Sequence, residues 1–427
     1  MLNADYKEVN KLKVKTNLKR VPILRVIFLL PILSGCAHLP NRLESEFIPS
    51  YQAGPFVLTR QLNGLVTIPV GSYPKSVSIS PDDKRAYICN LEGGSVDIID
   101  ADSLELVKRI EFKRTLTPLT DGTKRLDYFE EKPVEIAFTK GGRYVWISLL
   151  KAGGVVVHDT EGKLPKGALS KKAVIQDYQT GDKESLNLKF IRTGNQPKVI
   201  AVSPDENWIF VANWKGHDIA VIDSKKMVVV KRIKTGLYPR GICFTPTAAY
   251  VANFGSHTIS EIDLKSLKKK RTFRNVGASP RHLVLALDGR SIYVSNHGDK
   301  HIRQVDLASG KIIRKTQVGT EPRTICLSGN KKFLFVTNYK DDTLSVLDLD
   351  SMSPIITLGT LRRPVGASYD VRTDTLWVTG YWDKEVRVYK FQSMVVRNDK
   401  DSALREVRAM PTEPTVKKES RLSLSLR

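Results

Sequence analysis

Basic side chains recur in this chain directly after prolines. Lys75, Lys198, Arg240, Arg281 and Arg323 follow Pro74, Pro197, Pro239, Pro280 and Pro322. Arg362 and Arg363 stand just before Pro364, and Val134 and Val365 break the series. Cations gathered on a rigid frame make an anion site, and arginine adds bidentate recognition of carboxylate or phosphate. The candidate anion-binding residues are Lys75, Lys198, Arg240, Arg281, Arg323 and Arg363. A second set follows an Asn: Trp214, Phe254, His297 and Tyr339, with Tyr381 and Trp382 in the last repeat and Leu91 and Leu149 as exceptions. Rings beside cations suit stacking of bases, sugars or another planar ligand; packing between neighbouring repeats is the plainer alternative. Asn90, Asn213, Asn253, Asn296 and Asn338 suit turns, where the side chain satisfies backbone groups.

These positions need a repeating frame. The prolines from Pro197 to Pro364 stand 41 or 42 residues apart, and two longer gaps follow Pro74 and Pro133. Each proline opens a strand-like run (VSIS, GICF, TICL), followed by a turn such as Ser203-Pro204-Asp205. A second strand ends on Asn (FVAN, YVSN, FVTN), a third ends near Asp (IAVID, LSVLD), and a fourth is rich in β-branched residues. Four short strands per 40-odd residues is the pattern of propeller blades. The expected fold is all-β: a seven-bladed β-propeller of four-stranded antiparallel blades. The last repeat lacks a fourth strand, and Leu65–Gly71 (LVTIPVG) is expected to supply it and close the ring, hiding two open sheet edges.

YVAN, YVSN, FVTN and the SPD turns resemble the 40-residue YVTN repeat family of β-propellers, related in pattern to cytochrome d1-type haem domains. The resemblance covers residues 64–392 and implies fold rather than activity. Two insertions interrupt it. One, at 115–131, should lie on the face of the cations and carries Lys124, Arg125, Tyr128 and Phe129 as a candidate lid. The other, at 160–185, should lie on the opposite face.

Before the repeats, residues 1–35 read as a basic segment, a short apolar run and small residues, which is the order of a signal peptide. Leu33-Ser34-Gly35-Cys36 resembles a bacterial lipobox, which implies acylation of Cys36 and, with Ala37 next, the outer membrane of a two-membrane cell. Residues 36–63 are the expected linker from the lipid anchor, and 393–427 a basic, disordered tail. Cys89, Cys243 and Cys326 fall within strands and are expected to be packed thiols.

The net charge of +23 suits an anionic neighbour. No CxxC, CxxCH, Gly-rich phosphate loop or serine nucleophile motif is present, so no cofactor, metal site or catalytic set is expected. His217, His257 and His301 recur in turns that should diverge around the ring. The function read from this is a non-enzymatic binding or scaffold propeller. It would be exported and anchored to the lipid membrane through acylated Cys36, with an anionic ligand, a polyanion or an envelope protein as partner. Two alternatives stand beside it. One is an enzyme resembling lactonase propellers, with Arg281–His282 as its suggestive pair. The other is nucleic-acid binding, which an exported address disfavours.

Overall fold

A computed structural model of the chain describes residues 51–53, 56–112, 115–118, 124–127, 131–162 and 169–397. Residues 1–50, with the signal segment and Cys36, lie outside these, as do the tail beyond 397 and the side chains of Lys124, Arg125, Tyr128 and Phe129.

Every element among the described residues is a strand. Four antiparallel four-stranded sheets span Pro197–Lys234, Pro239–Phe273, Pro280–Gln317 and Pro322–Gly359. The second strands are buried along nearly their whole length, as in WIFVAN, and so are most third strands, as in DIAVID; His301–Asp306 is half buried. The fourth is mostly exposed, as in VVVKRIK. This gradient follows from stacking sheets face to face: the middle strands are covered on both sides and the outermost meets water. Seven hydrophobic clusters result among the described residues, each shared by two neighbouring repeats. One joins Ile88 and Ile99 of the first repeat to the fully buried Trp377 of the last. The indole N–H of Trp377 donates to Thr375 Oγ1 at 3.1 Å, so the ring is buried without an orphaned donor. The innermost strands, beginning at Pro74, Pro133, Pro197, Pro239, Pro280, Pro322 and Pro364, pack in that order, and the last touches the first.

Strand Phe56–Pro69 is hydrogen-bonded to strand Glu385–Arg397, with Val66 opposite Val388 and Ile68 opposite Val386. The ladder runs out to Phe56 opposite Arg397, past both expected limits at 64 and 392. Two edges that both carry unpaired backbone groups satisfy one another for as long as strand-forming residues last. The insertion at 160–185 also differs from a free loop. Its strand Ser170–Asp177 pairs on one side with Leu106–Phe112, the outer strand of the first repeat, and on the other with Lys183–Arg192 of the second. A continuous nine-stranded sheet therefore joins these two repeats.

The repeated Asp and Asn residues prove to be turn devices. Asp223, Asp306 and Asp348 each accept a backbone N–H two or three residues on, at 2.7 to 3.0 Å. Asn338 Nδ2 donates to Thr343 Oγ1 at 3.0 Å and to Ser345 Oγ at 2.8 Å. Asn213 and Asn296 reach the carbonyls of Thr193 and Val276, and Asn253 accepts the Gly236 N–H, as expected of turn-satisfying side chains. Each Asn is pressed by the glycine that ends the preceding fourth strand: a Cβ on Gly319 would fall 2.6 Å from Asn338 Cγ.

Asn338→Ala is expected to lower stability by about 2–4 kcal/mol, two buried hydrogen bonds and a small void. Urea unfolding checks this as a lower midpoint at unchanged slope. Gly319→Ala should destabilise for the opposite reason, overcrowding.

Candidate functional site

Pro74 pairs with Asn90, and the next register pair is Ser76 with Cys89, so Lys75 has no opposite residue. The same one-residue surplus follows Pro133, Pro197, Pro239, Pro280, Pro322 and Pro364. A bulge breaks strand alternation and re-aims a side chain. Here it delivers Lys75, Lys198, Arg240, Arg281 and Arg323 to the inner side of the ring, where Lys75 senses the other four and Lys198 the three arginines. Val134 and Val365 are buried at the equivalent places.

In three repeats a hydroxyl fastens the bulge to the next sheet. Ser295 Oγ accepts the His282 N–H at 3.1 Å and donates to the Arg323 carbonyl at 2.7 Å. Ser148 does the same between the Glu135 N–H (3.2 Å) and the Lys198 carbonyl (2.9 Å). Thr337 links the Thr324 N–H (3.0 Å) to the Val365 carbonyl (3.3 Å). The Ser and Thr of YVSN and FVTN thus hold the cation-bearing backbone in register between neighbours.

The rings lie against the cations. Lys198 Nζ is 4.0 Å and Arg240 Cζ 4.2 Å from the centre of Trp214, and Arg240 also meets Phe254 at 5.5 Å. Arg323 Cζ is 3.1 Å from the centre of Tyr339. Trp214 stacks on Tyr238 at 4.8 Å and touches Phe254 at 5.4 Å, which touches His297 at 5.4 Å. Tyr381 meets Tyr73 at 5.0 Å. The backbone explains this adjacency. Gln196, Tyr238, Ser279, Glu321 and Arg363, each preceding a proline, have φ between 50° and 55°. Their carbonyls accept the N–H groups of Trp214, Phe254, His297, Tyr339 and Tyr381. His217 and His257 serve the same turns, their Nδ1 atoms accepting the Tyr238 and Ser279 N–H groups at 3.1 and 2.8 Å.

Two expected members stand elsewhere. Arg363 precedes its proline rather than following it, so the bulge does not turn it inward. Its guanidinium donates to the Lys340 carbonyl at 3.3 Å and lies 5.1 Å from Trp382, itself half exposed on the rim. The second aromatic exception is Leu150, not Leu149: Leu149 takes the Asn place opposite Pro133, and Leu150 donates to the Lys132 carbonyl. Arg281 joins the cation cluster, and the His282 ring, which feels the Arg281 charge, meets the Ile325 backbone of the next inner strand.

Sequence reasoning missed Glu135. It follows Val134 in the bulge of the second repeat, and an acid there, where every other repeat is basic or neutral, was the available signal. Burial pushes its carboxyl up to about 7, against the pull of Lys75, Arg281 and Arg240. Burial and then neighbouring cations push Lys198 down to about 5, and hold Lys75 and Arg281 well below their ordinary values. Burial and Arg323 bring Arg240 to about 9, so it stays charged at neutral pH. Burial takes His297 down to about 3, so it is a neutral imidazole there. Among the described residues no carboxylate lies within ion-pair distance of Lys75, Lys198, Arg240 or Arg281, while Arg323 has Glu321 at 3.9 Å. The Nε atoms of Arg240 and Arg323 are buried without a hydrogen-bond partner. A cleft of about 800 Å³ beside Tyr87, Val107 and Leu188 is lined by none of these cations, and two of its charged groups are ion-paired: Lys108 with Asp177 at 3.2 Å, Asp159 with Arg143 at 3.1 Å. The three thiols are inert by burial, Cys243 and Cys326 being pushed up to about 12.

The model of the YNCE-like β-propeller family matches residues 183–367. Hydrazine synthase of Kuenenia stuttgartiensis superposes with a TM-score of 0.57 at 17% identity, covering 78% of this chain and 97% of its own. The fold is a β-propeller. Antigen Lp49 of Leptospira interrogans (serogroup Icterohaemorrhagiae serovar copenhageni, strain Fiocruz L1-130) is 27% identical over 257 residues, 58% of this chain and 49% of the antigen. The chain thus matches about half the length of that relative.

The shifts fix the sign of a pH dependence. Lys198 is neutral in the folded protein over a window where the unfolded chain is protonated, from about 5 to 10.5. Its contribution therefore favours folding more as pH rises through that window. A bound anion reverses this by favouring the charged amine, so binding near pH 7 should take up protons. Calorimetry of pyrophosphate binding in buffers of different ionisation heat reads that uptake directly. Affinity should fall from pH 6 to 8 as Glu135 ionises. Glu135→Gln should flatten that step and tighten binding at pH 8 by about tenfold, roughly one unit of pKa coupling.

Proposed function

We propose that this chain is a non-enzymatic binding propeller whose ligand is a small anion held at the mouth of its central channel. The observation that carries the reading is the pairing of the cations. Lys198, Arg240 and Arg323 rest on aromatic faces, and among the described residues Lys75, Lys198, Arg240 and Arg281 have no carboxylate within ion-pair distance; Arg240 and Arg323 keep their positive charge at neutral pH, and the buried lysines gain theirs when an anion arrives. Cations stacked on neutral rings are oriented without being neutralised. The same contacts occupy the ring faces, so the aromatics hold the cations in place rather than offering free stacking platforms. We take the ring to have seven blades, closed by strand Phe56–Pro69 completing the last one. This agrees with the order in which the innermost strands meet and with the pairing of that strand to Glu385–Arg397.

The address we propose is the bacterial envelope, most simply the outer membrane, through a lipid on Cys36. Its support is the LSGC sequence and the likeness to a spirochaete antigen. Replacing Cys36 with Ser should abolish incorporation of a fatty-acid label and release the protein from the membrane fraction.

Arg240→Glu with Arg281→Glu should abolish binding of pyrophosphate and citrate, with thermal denaturation confirming a folded variant. Binding by the unchanged protein should weaken with added salt. Equal binding by the two proteins would overturn the reading.

A further inference from the structure

The inner groups are unevenly distributed around the ring. Arg240, Arg281 and Arg323 stand on three consecutive innermost strands. Glu135 stands on the strand beginning at Pro133, and Arg281 and Arg323 each lie three strands from it, the greatest separation the cycle of inner strands allows. Lys75 and Lys198 stand on the strands either side of Glu135. The inner strands therefore carry an arc of guanidinium groups, two with buried and unpartnered Nε donors, with Glu135 on the opposite side of the cycle.

We propose that the ligand is a small hydroxy acid: its carboxylate or phosphate docks on the arginine arc, and its hydroxyl donates to Glu135 across the channel. This rests on the anion reading of the same site and narrows it. Three guanidinium groups on adjacent strands supply donors enough for one oxyanion head. Glu135 cannot serve that head, because like charges repel, but it is an acceptor on the inner strand three places from those of Arg281 and Arg323. An ammonium group there would meet Lys75 and Lys198, so a neutral donor, a hydroxyl, is the group that fits. A polymer lying across the face would not reach these atoms, since they stand on the innermost strands, Glu135 and the arginines on opposite sides of the channel.

Malate and succinate differ by one hydroxyl and isolate the idea. Isothermal titration of the full-length protein should find malate at least about tenfold tighter than succinate, because a site built to pair a hydroxyl rejects the analogue lacking it. In Glu135→Ala that preference should vanish while succinate still binds, with Glu135→Gln as a second variant should the alanine protein fail to fold. Equal affinity for the two acids in the unchanged protein would overturn the hydroxy-acid inference and leave the anion reading standing. No binding of malate, succinate, citrate or pyrophosphate would overturn both.

Discussion

The structure depends on one irregularity repeated around the ring: the extra residue that follows each proline. Regular pairing would place that residue on a face of its own sheet, packed against a neighbouring sheet, where an unpaired Arg or Lys would cost several kcal/mol. The bulge sends it to the axis instead. The surplus loosens the backbone, and the hydroxyls of Ser148, Ser295 and Thr337 tighten it again by spanning two sheets at once. Fold and site are thus built from the same atoms: the hydrogen bond that joins neighbouring sheets ends on the carbonyl of Arg323 or Lys198 itself.

Crowding like charges in this way opposes folding, and the molecule offsets it with aromatic faces rather than acids. Trp214 takes two cations and Tyr339 lies under Arg323. Carboxylates would stabilise the empty channel more strongly but would compete with any incoming anion. The left-handed residues before the prolines belong to the same arrangement. Their strain is held by hydrogen bonds from the residues that carry the rings, so strain and stacking are coupled.

Much of this was legible in the residues. Proline spacing and the Asn and Asp endings marked the strands, because those residue types do in the structure what their chemistry does in turns. The five post-proline cations come together because each occupies the same place in its repeat. Three features were not legible. Glu135 is displaced by one residue from the series, and spacing alone does not show that its carboxyl senses the inner cations. Arg363 mimics the series by adjacency to Pro364, but it stands on the wrong side of the proline. The strand Ser170–Asp177 pairs with residues some sixty positions earlier, a contact that local pattern does not encode.

That last strand changes how the ring opens. In a ring of separate sheets held by side-chain packing, every interface is a seam along which a sheet can detach by itself. Between the first and second repeats the seam is stitched by backbone hydrogen bonds, from Ala173 opposite Phe112 to Asp177 opposite Lys108. These two sheets therefore exchange their amide hydrogens as one cooperative block. Lys75 and Glu135 stand on that block and keep their spacing through local openings that would separate any other neighbouring pair. The part of the channel that holds Glu135 is thereby the stiffest, and breathing of the ring is left to the sector that carries the arginines.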